Sequence, residues 1–300
     1  MIGIVFLLFA GLFGGRLLAK LAPKGHRRIF GWLMVFALLV AAYLNLLDAD
    51  PIVRMVGICA VLLAAMKGLV YAEWAGPKQL TWSRYFIFGL LWFGMDPGTF
   101  AKKRAGLSYK GDLGWGLLML VVGFTMAWVV WTLEYRDIIL MFVPMSLGFH
   151  FGALRVLKAI HRSFGFPVRT LFPNLLKAQG IGDFWSRRWN VGYSQMMQRV
   201  VGRPLGNIVG RDGGVMAVFL VSGLLHEVAI TLPVMAGWGC PTLYFVFHGG
   251  LAVWERRTGR QLGKVLTLIL VGAPLGFLFP QVFQVEVIER FLGVMKWING

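Results

Sequence analysis

A histidine–glutamate pair lies inside a long apolar stretch of the sequence. His226 and Glu227 follow the run Val-Phe-Leu-Val-Ser-Gly-Leu-Leu and precede Val-Ala-Ile. An ionisable side chain is costly within a membrane, so it usually has a function or a polar partner. A neutral imidazole can take a proton from a hydroxyl near neutral pH. His226 is therefore the candidate catalytic base.

The surroundings of this histidine allow two roles. Ser222 lies four residues earlier, one turn away on the same helical face, and Gly223 would let a neighbouring helix or a ligand approach closely. A histidine that only hydrogen-bonds between helices would fit the same pattern. Glu227 could orient His226, although adjacent helical side chains point about 100° apart.

A basic aromatic block precedes that stretch. Residues 182–190 read Gly-Asp-Phe-Trp-Ser-Arg-Arg-Trp-Asn. Arg187 and Arg188, between Trp185 and Trp189, could hold anionic groups, phosphates especially. A belt of Arg and Trp at the cytoplasmic membrane interface would have the same composition, so the block alone predicts either a phosphate site or an interfacial belt.

Other polar residues are weaker candidates. His150 and His248 fall in apolar stretches, where they could line the same cavity as His226 or pack between helices. We expect His26 and His161, in basic loops, to be solvated. Lys67 lies near the end of an apolar stretch and is expected to extend its amine to the cytoplasmic interface.

Several catalytic and binding patterns are absent. The sequence contains no HExxH zinc helix, no Gly-x-Ser-x-Gly elbow and no Walker A loop. Its two cysteines, Cys59 and Cys240, give neither a disulfide framework nor a zinc cluster. We therefore expect no metal and no bound cofactor.

The elements that must position these residues are transmembrane helices. The chain is 58% hydrophobic and only 14% charged, whereas soluble domains carry about 25% charged residues. The pattern predicts an all-α polytopic bundle of about eight spans in one domain, residues 1–300, with interfacial helices in the basic and aromatic segment 158–211. The predicted spans are 2–15, 29–47, 52–70, 113–133, 138–157, 214–236, 241–254 and 265–283. Residues 85–93 are too short to span.

The distribution of basic residues predicts the orientation. Alternating eight spans from an outside N-terminus places 25 Lys and Arg in inside segments and 4 outside. This asymmetry follows the positive-inside rule, so segment 158–211 should face the cytoplasm and both termini the other side. The net charge of +17 is thereby explained by topology, with no nucleic-acid partner.

Two motifs together resemble a known family. Asp183-Phe184-Trp185-Ser186-Arg187-Arg188-Trp189-Asn190, followed by Ser222-Gly223-Leu224-Leu225-His226-Glu227, is similar to the wax synthase-like branch of the membrane-bound O-acyltransferase (MBOAT) superfamily. The resemblance covers about residues 160–260. Ser186 stands where the family usually has Gly.

The resemblance implies a curved bundle of helices around a tunnel, and acyl transfer from acyl-CoA to a hydroxyl. It implies that His226 and Asn190 are catalytic. Asn190 would position the histidine or stabilise an oxyanion. Arg187, Arg188, Trp185, Asp183, Trp189, Ser222 and Glu227 would bind substrates.

The partners expected from this resemblance are acyl-CoA, a lipophilic alcohol and membrane lipids. A long-chain alcohol is the family's default acceptor, while a sterol, diacylglycerol, glycan or pigment hydroxyl also remains open. A lipid or small-solute transporter is the alternative function, and a non-catalytic membrane scaffold is a third reading. The compactness of the chain favours a prokaryotic plasma membrane.

Overall fold

A computed structural model describes residues 2–74, 79–133 and 138–290, and over these ranges the only regular elements are helices. The helices are α1 Ile2–Leu21, α2 Arg27–Asn45, α3 Pro51–Glu73, α4 Trp82–Leu90, α5 Lys110–Thr132, α6 residues 138–163, α7 residues 181–188, α8 Val191–Val234, α9 Cys240–Thr258, α10 Lys264–Leu278 and α11 Gln281–Glu289. Single 3₁₀ turns lie at Pro97–Phe100 and Leu175–Lys177. The all-α prediction is confirmed.

Helices α1 and α3 pack backbone to backbone. A Cβ at Gly15 would lie 2.1 Å from the Gly68 Cα, and one at Gly11 would lie 3.0 Å from the Ala65 nitrogen. Small residues allow this approach, which replaces the hydrophobic effect as the source of helix association in lipid. Helix α2 joins the pair through an ion pair between Arg28 and Glu73, 2.9 Å apart.

Helices α5 and α6 form a second glycine-packed pair. A Cβ at Gly123 would lie 2.3 Å from the Gly148 nitrogen. Pro144 interrupts the hydrogen bonding of α6, and the following stretch, Leu147–Ala153, is π-helical. This stretch carries His150.

Helix α8 is too long for one straight span. Its 44 residues would extend about 66 Å at 1.5 Å each. The backbone bends at Val209 and Gly210, and the glycine takes φ 77°. The second half packs on α9, where a Cβ at Gly223 would lie 2.7 Å from the Thr242 Cα. The expected close approach at Gly223 is thus made by a helix.

Six described helices are long and apolar enough to cross a membrane: α1, α2, α3, α5, α6 and α8. The pair α10 and α11, bent by 74°, would be a seventh span. The chain is therefore a multi-pass membrane protein, but the predicted count of eight is not confirmed. Helix α9, the predicted seventh span, is not apolar enough to be counted as a span. Helix α4 has only nine residues, which is too short to cross a membrane.

Two expectations about polar residues were wrong. Lys67 does not reach the interface: it is 0% exposed, and its Nζ donates to the carbonyls of Phe88 (2.9 Å), Trp92 (2.8 Å) and Gly94. These carbonyls at and after the end of α4 attract a cation. His161 is buried as well, because it lies in α6 and not in a loop, and its ring packs against Trp92 and Phe166.

Candidate active site

One large cavity contains most of the residues predicted to act. Its volume is about 1470 Å³, and its walls come from α3, residues 93–96, α6, α7, α8 and α9. Ligand pockets usually measure about 300–1,000 Å³, so this one has room for a long ligand. Residues of segments 155–211 and 255–264, which were both predicted to face the cytoplasm, line this cavity.

His226 lines the cavity with a defined tautomer. Its Nδ1 lies 2.7 Å from the carbonyl oxygen of Ser222. Because a carbonyl can only accept, Nδ1 carries the proton and Nε2 keeps its lone pair. The ring packs on Phe245, with centroids 4.3 Å apart. The side chain is thus oriented by a hydrogen bond to the backbone and by an aromatic contact, and neither of these involves the basic nitrogen Nε2.

Asn190 contributes to the geometry of the site through its backbone. It takes the left-handed conformation (φ 41°, ψ 59°) and caps α8, its Oδ1 accepting from the Tyr193 nitrogen at 3.2 Å. Asparagine tolerates this conformation better than most residues. Tyr193 in turn donates its hydroxyl to Ser222 Oγ, 3.2 Å away, and lies edge-on to His226. Asn190 also lines the cavity.

The two adjacent arginines have different environments. Arg188 donates to Asp183 at 3.1 Å and does not line the cavity. Arg187 lines it, is 78% exposed at its side chain, and stays 3.9 Å from Asp183. Asp183 therefore compensates mainly Arg188, and Arg187 is the arginine of the pair available to an anion.

The tryptophans of the block form an aromatic wall. Trp185 packs against Phe245 at 5.3 Å, and Trp189 stacks on Phe184 at 6.0 Å with planes 11° apart. Both indoles line the cavity. Within the described ranges, the buried Trp185 Nε1 has no hydrogen-bond partner.

Arginines outside the block complete a basic cavity rim. These arginines line the cavity and belong to segments of α8 and α9, or directly after α9, that were predicted to face the cytoplasm: Arg199, Arg203, Arg211, Arg256 and Arg260. Arg256 is paired with Asp212. Arg199 has a buried Nη1 without a partner among the described residues. Arg199, Arg203 and Arg211 belong to the basic segment 158–211, whose residues the sequence predicted as a group to hold phosphates, whereas Arg256 and Arg260 were not singled out.

Both buried glutamates near the site join helices by accepting hydrogen bonds. Glu227 does not line the cavity; its carboxylate accepts from Thr231 Oγ1 at 2.6 Å and from Thr242 N and Oγ1 at 3.0 and 2.8 Å. It therefore joins α8 to the start of α9 and faces away from His226. Glu255, which sequence reasoning missed, accepts from the nitrogens of Ile181, Gly182 and Leu262.

The two remaining candidate histidines, His150 and His248, differ in whether they reach the cavity. His150 lines the cavity, whereas His248 is 0% exposed and lies between α9 and α10, against the carbonyls of Tyr244 and Leu270. Across the described ranges, no group of three or more His, Cys, Asp or Glu side chains could hold a metal ion.

Known proteins are similar to this chain in the region that contains both motifs. Residues 168–247 match the Membrane bound O-acyl transferase family. A "Probable long-chain-alcohol O-fatty-acyltransferase 1" of Arabidopsis thaliana is 30% identical over 187 residues, 53% of this chain and 54% of that protein. A "Long-chain-alcohol O-fatty-acyltransferase" of Simmondsia chinensis is 30% identical over 128 residues, 36% of each chain.

These comparisons cover about half the length of the relatives or less. The relatives are plant proteins, so they give no support to the prediction of a prokaryotic plasma membrane. They give none to the transporter alternative either. The matched region is similar to the membrane-bound O-acyltransferase superfamily, and the names of the relatives agree with the resemblance to its wax synthase-like branch that the two motifs predicted.

Proposed function

We propose that this protein transfers a fatty acyl group from acyl-CoA to the hydroxyl of a lipophilic alcohol. The observation that carries the proposal is the environment of His226. Its Nδ1 donates to the Ser222 carbonyl, so Nε2 keeps a lone pair and can act as a base. His226 also lines a cavity large enough for a long ligand. The relatives' names supply the reaction class.

The chemistry needs one base that later acts as an acid. His226 Nε2 takes the proton of the alcohol while its oxygen attacks the thioester carbonyl. The tetrahedral intermediate then collapses, the C–S bond breaks, and the imidazolium returns its proton to the thiolate of CoA. The products are an ester and free CoA, and no metal or bound cofactor is required.

The charge distribution supports the placement of the two substrates. The CoA phosphates would lie at the rim, where Arg187, Arg199 and Arg203 provide charge-assisted hydrogen bonds. The acyl chain and the alcohol would occupy the apolar part between Leu62, Phe149 and Phe245. The alcohol would enter from the surrounding membrane lipids, since a lipophilic acceptor concentrates there.

Asn190 and Trp185 have distinct roles in this proposal. Asn190 caps α8 and thereby fixes Tyr193 and Ser222 beside His226. It is a positioning residue through this contact. Trp185 lines the cavity, and its buried indole N–H has no hydrogen-bond partner among the described residues, so this donor is left to stabilise an anionic oxygen in the proposed reaction.

The deciding experiment uses purified protein, radiolabelled acyl-CoA and a panel of alcohols. A general base contributes about 10²- to 10⁴-fold to the rate, so His226→Ala and His226→Gln should both lose most ester formation. Acyl-CoA binding and the melting temperature should stay near wild type for the Gln variant. A folded Gln variant with near-normal turnover would remove His226 from the mechanism.

The same assay tests the proposal against a transporter or a scaffold. Either of those would leave acyl-CoA intact with every alcohol offered. Ester formation by the wild-type protein, dependent on both acyl-CoA and alcohol, is the result that the proposal requires.

A further inference from the structure

His150 differs from the other histidines in the described helices. Nδ1 of His161, His226 and His248 lies 2.8, 2.7 and 2.9 Å from the carbonyl four residues earlier. The Nδ1 of His150 is buried and, in the described part of the chain, has no hydrogen-bond partner. His150 also differs in its backbone, since it lies in the π-helical stretch Leu147–Ala153, where backbone bonds shift to the fifth residue.

The surroundings of this nitrogen point toward a ligand. The His150 ring lies 4.5 Å from the Phe172 ring and 5.1 Å from the Trp189 ring. All three side chains line the large cavity. An unpaired buried polar atom costs free energy, and here it belongs to a side chain that lies on the aromatic wall of the cavity.

His226 already accounts for the reacting hydroxyl. It lies on α8 against Tyr193 and Phe245, whereas His150 lies on α6 against different aromatic rings. A plain long-chain alcohol has no second polar group to bring to His150. A neutral imidazole can donate to a hydroxyl or accept from it, so a hydroxyl suits either tautomer.

We propose that His150 forms a second polar subsite, which selects lipophilic alcohols that carry another hydroxyl along the chain. This inference rests on the proposed function and narrows its acceptor class to diols and hydroxylated lipids. In the absence of such a subsite, a second hydroxyl would only add a desolvation cost when the acceptor enters the cavity.

The test compares 1-hexadecanol with a positional series of 1,n-hexadecanediols, using radiolabelled acyl-CoA and the purified protein. The measured quantity is the ratio of kcat/KM for each diol to that for the alkanol. Comparing this ratio between variants cancels differences in detergent partitioning and in the fraction of active protein. The variants are His150→Phe, which removes the hydrogen bond and keeps an aromatic ring, and His150→Gln, which keeps hydrogen bonding.

A buried hydrogen bond left unmade costs enough to change this ratio by about 10- to 100-fold. For at least one diol, His150→Phe should therefore lower the ratio by that factor, and His150→Gln should retain part of it. His161→Phe is the matched control: it lies on the same helix, its Nδ1 is bonded to Leu157, and it should leave the ratio unchanged.

The outcomes distinguish this subsite from the function on which it rests. Ester formation with a ratio that His150→Phe changes less than about twofold for every diol would overturn the subsite alone. An equal loss in His161→Phe would overturn it too, because the effect would then belong to the helix and not to the nitrogen. No ester from any acceptor would refute the proposed function and the subsite together.

Discussion

Replacing Glu255 should weaken the site from a position that contacts no reacting atom in the proposed reaction. Its Oε1 accepts from Ile181 N and Leu262 N, each at 3.1 Å, and its Oε2 accepts from Gly182 N at 2.9 Å. The contacts with Ile181 and Gly182 satisfy amides at the N-terminus of α7, which have no partner within the helix. A residue of α9 therefore caps the helix that carries Arg187.

The magnitude follows from these three bonds. A hydrogen bond to a charged group contributes about 1.5–3 kcal/mol. Glu255→Gln keeps the shape but places an NH2 against at least one N–H and removes the charge from the other contacts. We expect a loss of about 2–4 kcal/mol in stability, which corresponds to a melting temperature lower by about 5–10 °C.

The kinetic effect should fall on acyl-CoA binding. Loosening α7 moves Arg187 away from the rim, while His226 stays on α8 with its bond to Ser222. Glu255→Gln should therefore raise KM for acyl-CoA by about tenfold, at the cost of one charge-assisted contact, with a smaller change in kcat. Glu286→Gln, at an exposed i,i+4 pair with Arg290, is the matched control and should change neither.

Steady-state kinetics beside detergent melting curves would decide the matter. A Glu255→Gln protein with wild-type melting temperature and wild-type KM would show that α7 does not depend on this cap. A proportional loss of kcat with unchanged KM would contradict the assignment of α7 to acyl-CoA binding.

The remaining predictions concern the arginines, the topology and the buried lysine. Arg187→Ala should raise KM for acyl-CoA about tenfold, after allowance for solvent screening, and more than Arg188→Ala does, because only Arg187 lines the cavity; equal effects would refute this distinction. Cysteines at positions 179 and 203 should react with a membrane-impermeant reagent only after permeabilisation, and labelling in intact cells would overturn the orientation. Lys67→Met should leave three carbonyls unpaired and lower the melting temperature by about 5 °C or more; an unchanged melting curve would mean that the lysine is dispensable.

The helical architecture was predictable because lipid imposes a strong constraint. Every backbone polar group must be satisfied within the hydrocarbon region, so long apolar runs become helices. The runs at 52–70 and 113–133 correspond to α3 and α5. Helix α9, at the predicted seventh span, is not apolar enough to cross a membrane because it ends in Glu255, Arg256 and Arg257. Two of these residues, Glu255 and Arg256, line the cavity.

Partners distant in sequence could not be predicted. Lys67 meets carbonyls 21 to 27 residues away, and Glu255 meets amides 73 and 74 residues away. Hydropathy describes the cost of placing a residue in lipid, not the partner that offsets it. The same limit applies to Glu227, whose neighbour in sequence is His226 but whose hydrogen bonds go to Thr231 and Thr242.

The residue types of the motif block divide into those that build the site and those that face it. Asn190 takes a left-handed turn, and Asp183 compensates Arg188; these contacts shape the chain between α7 and α8. A Cβ at Gly180 would lie 2.2 Å from Glu255 Oε1, so that position admits little besides glycine. Arg187 and Trp185 are then left to face the cavity.

This division explains why two motifs separated in sequence occur together. The first motif ends at the cap of α8, and the second lies on the same helix, with Tyr193 and Ser222 in contact between them. A change in the turn at Asn190 would therefore displace Tyr193 and, through Ser222, the carbonyl that fixes the His226 tautomer. The orientation and tautomer of the imidazole thus depend on one left-handed residue.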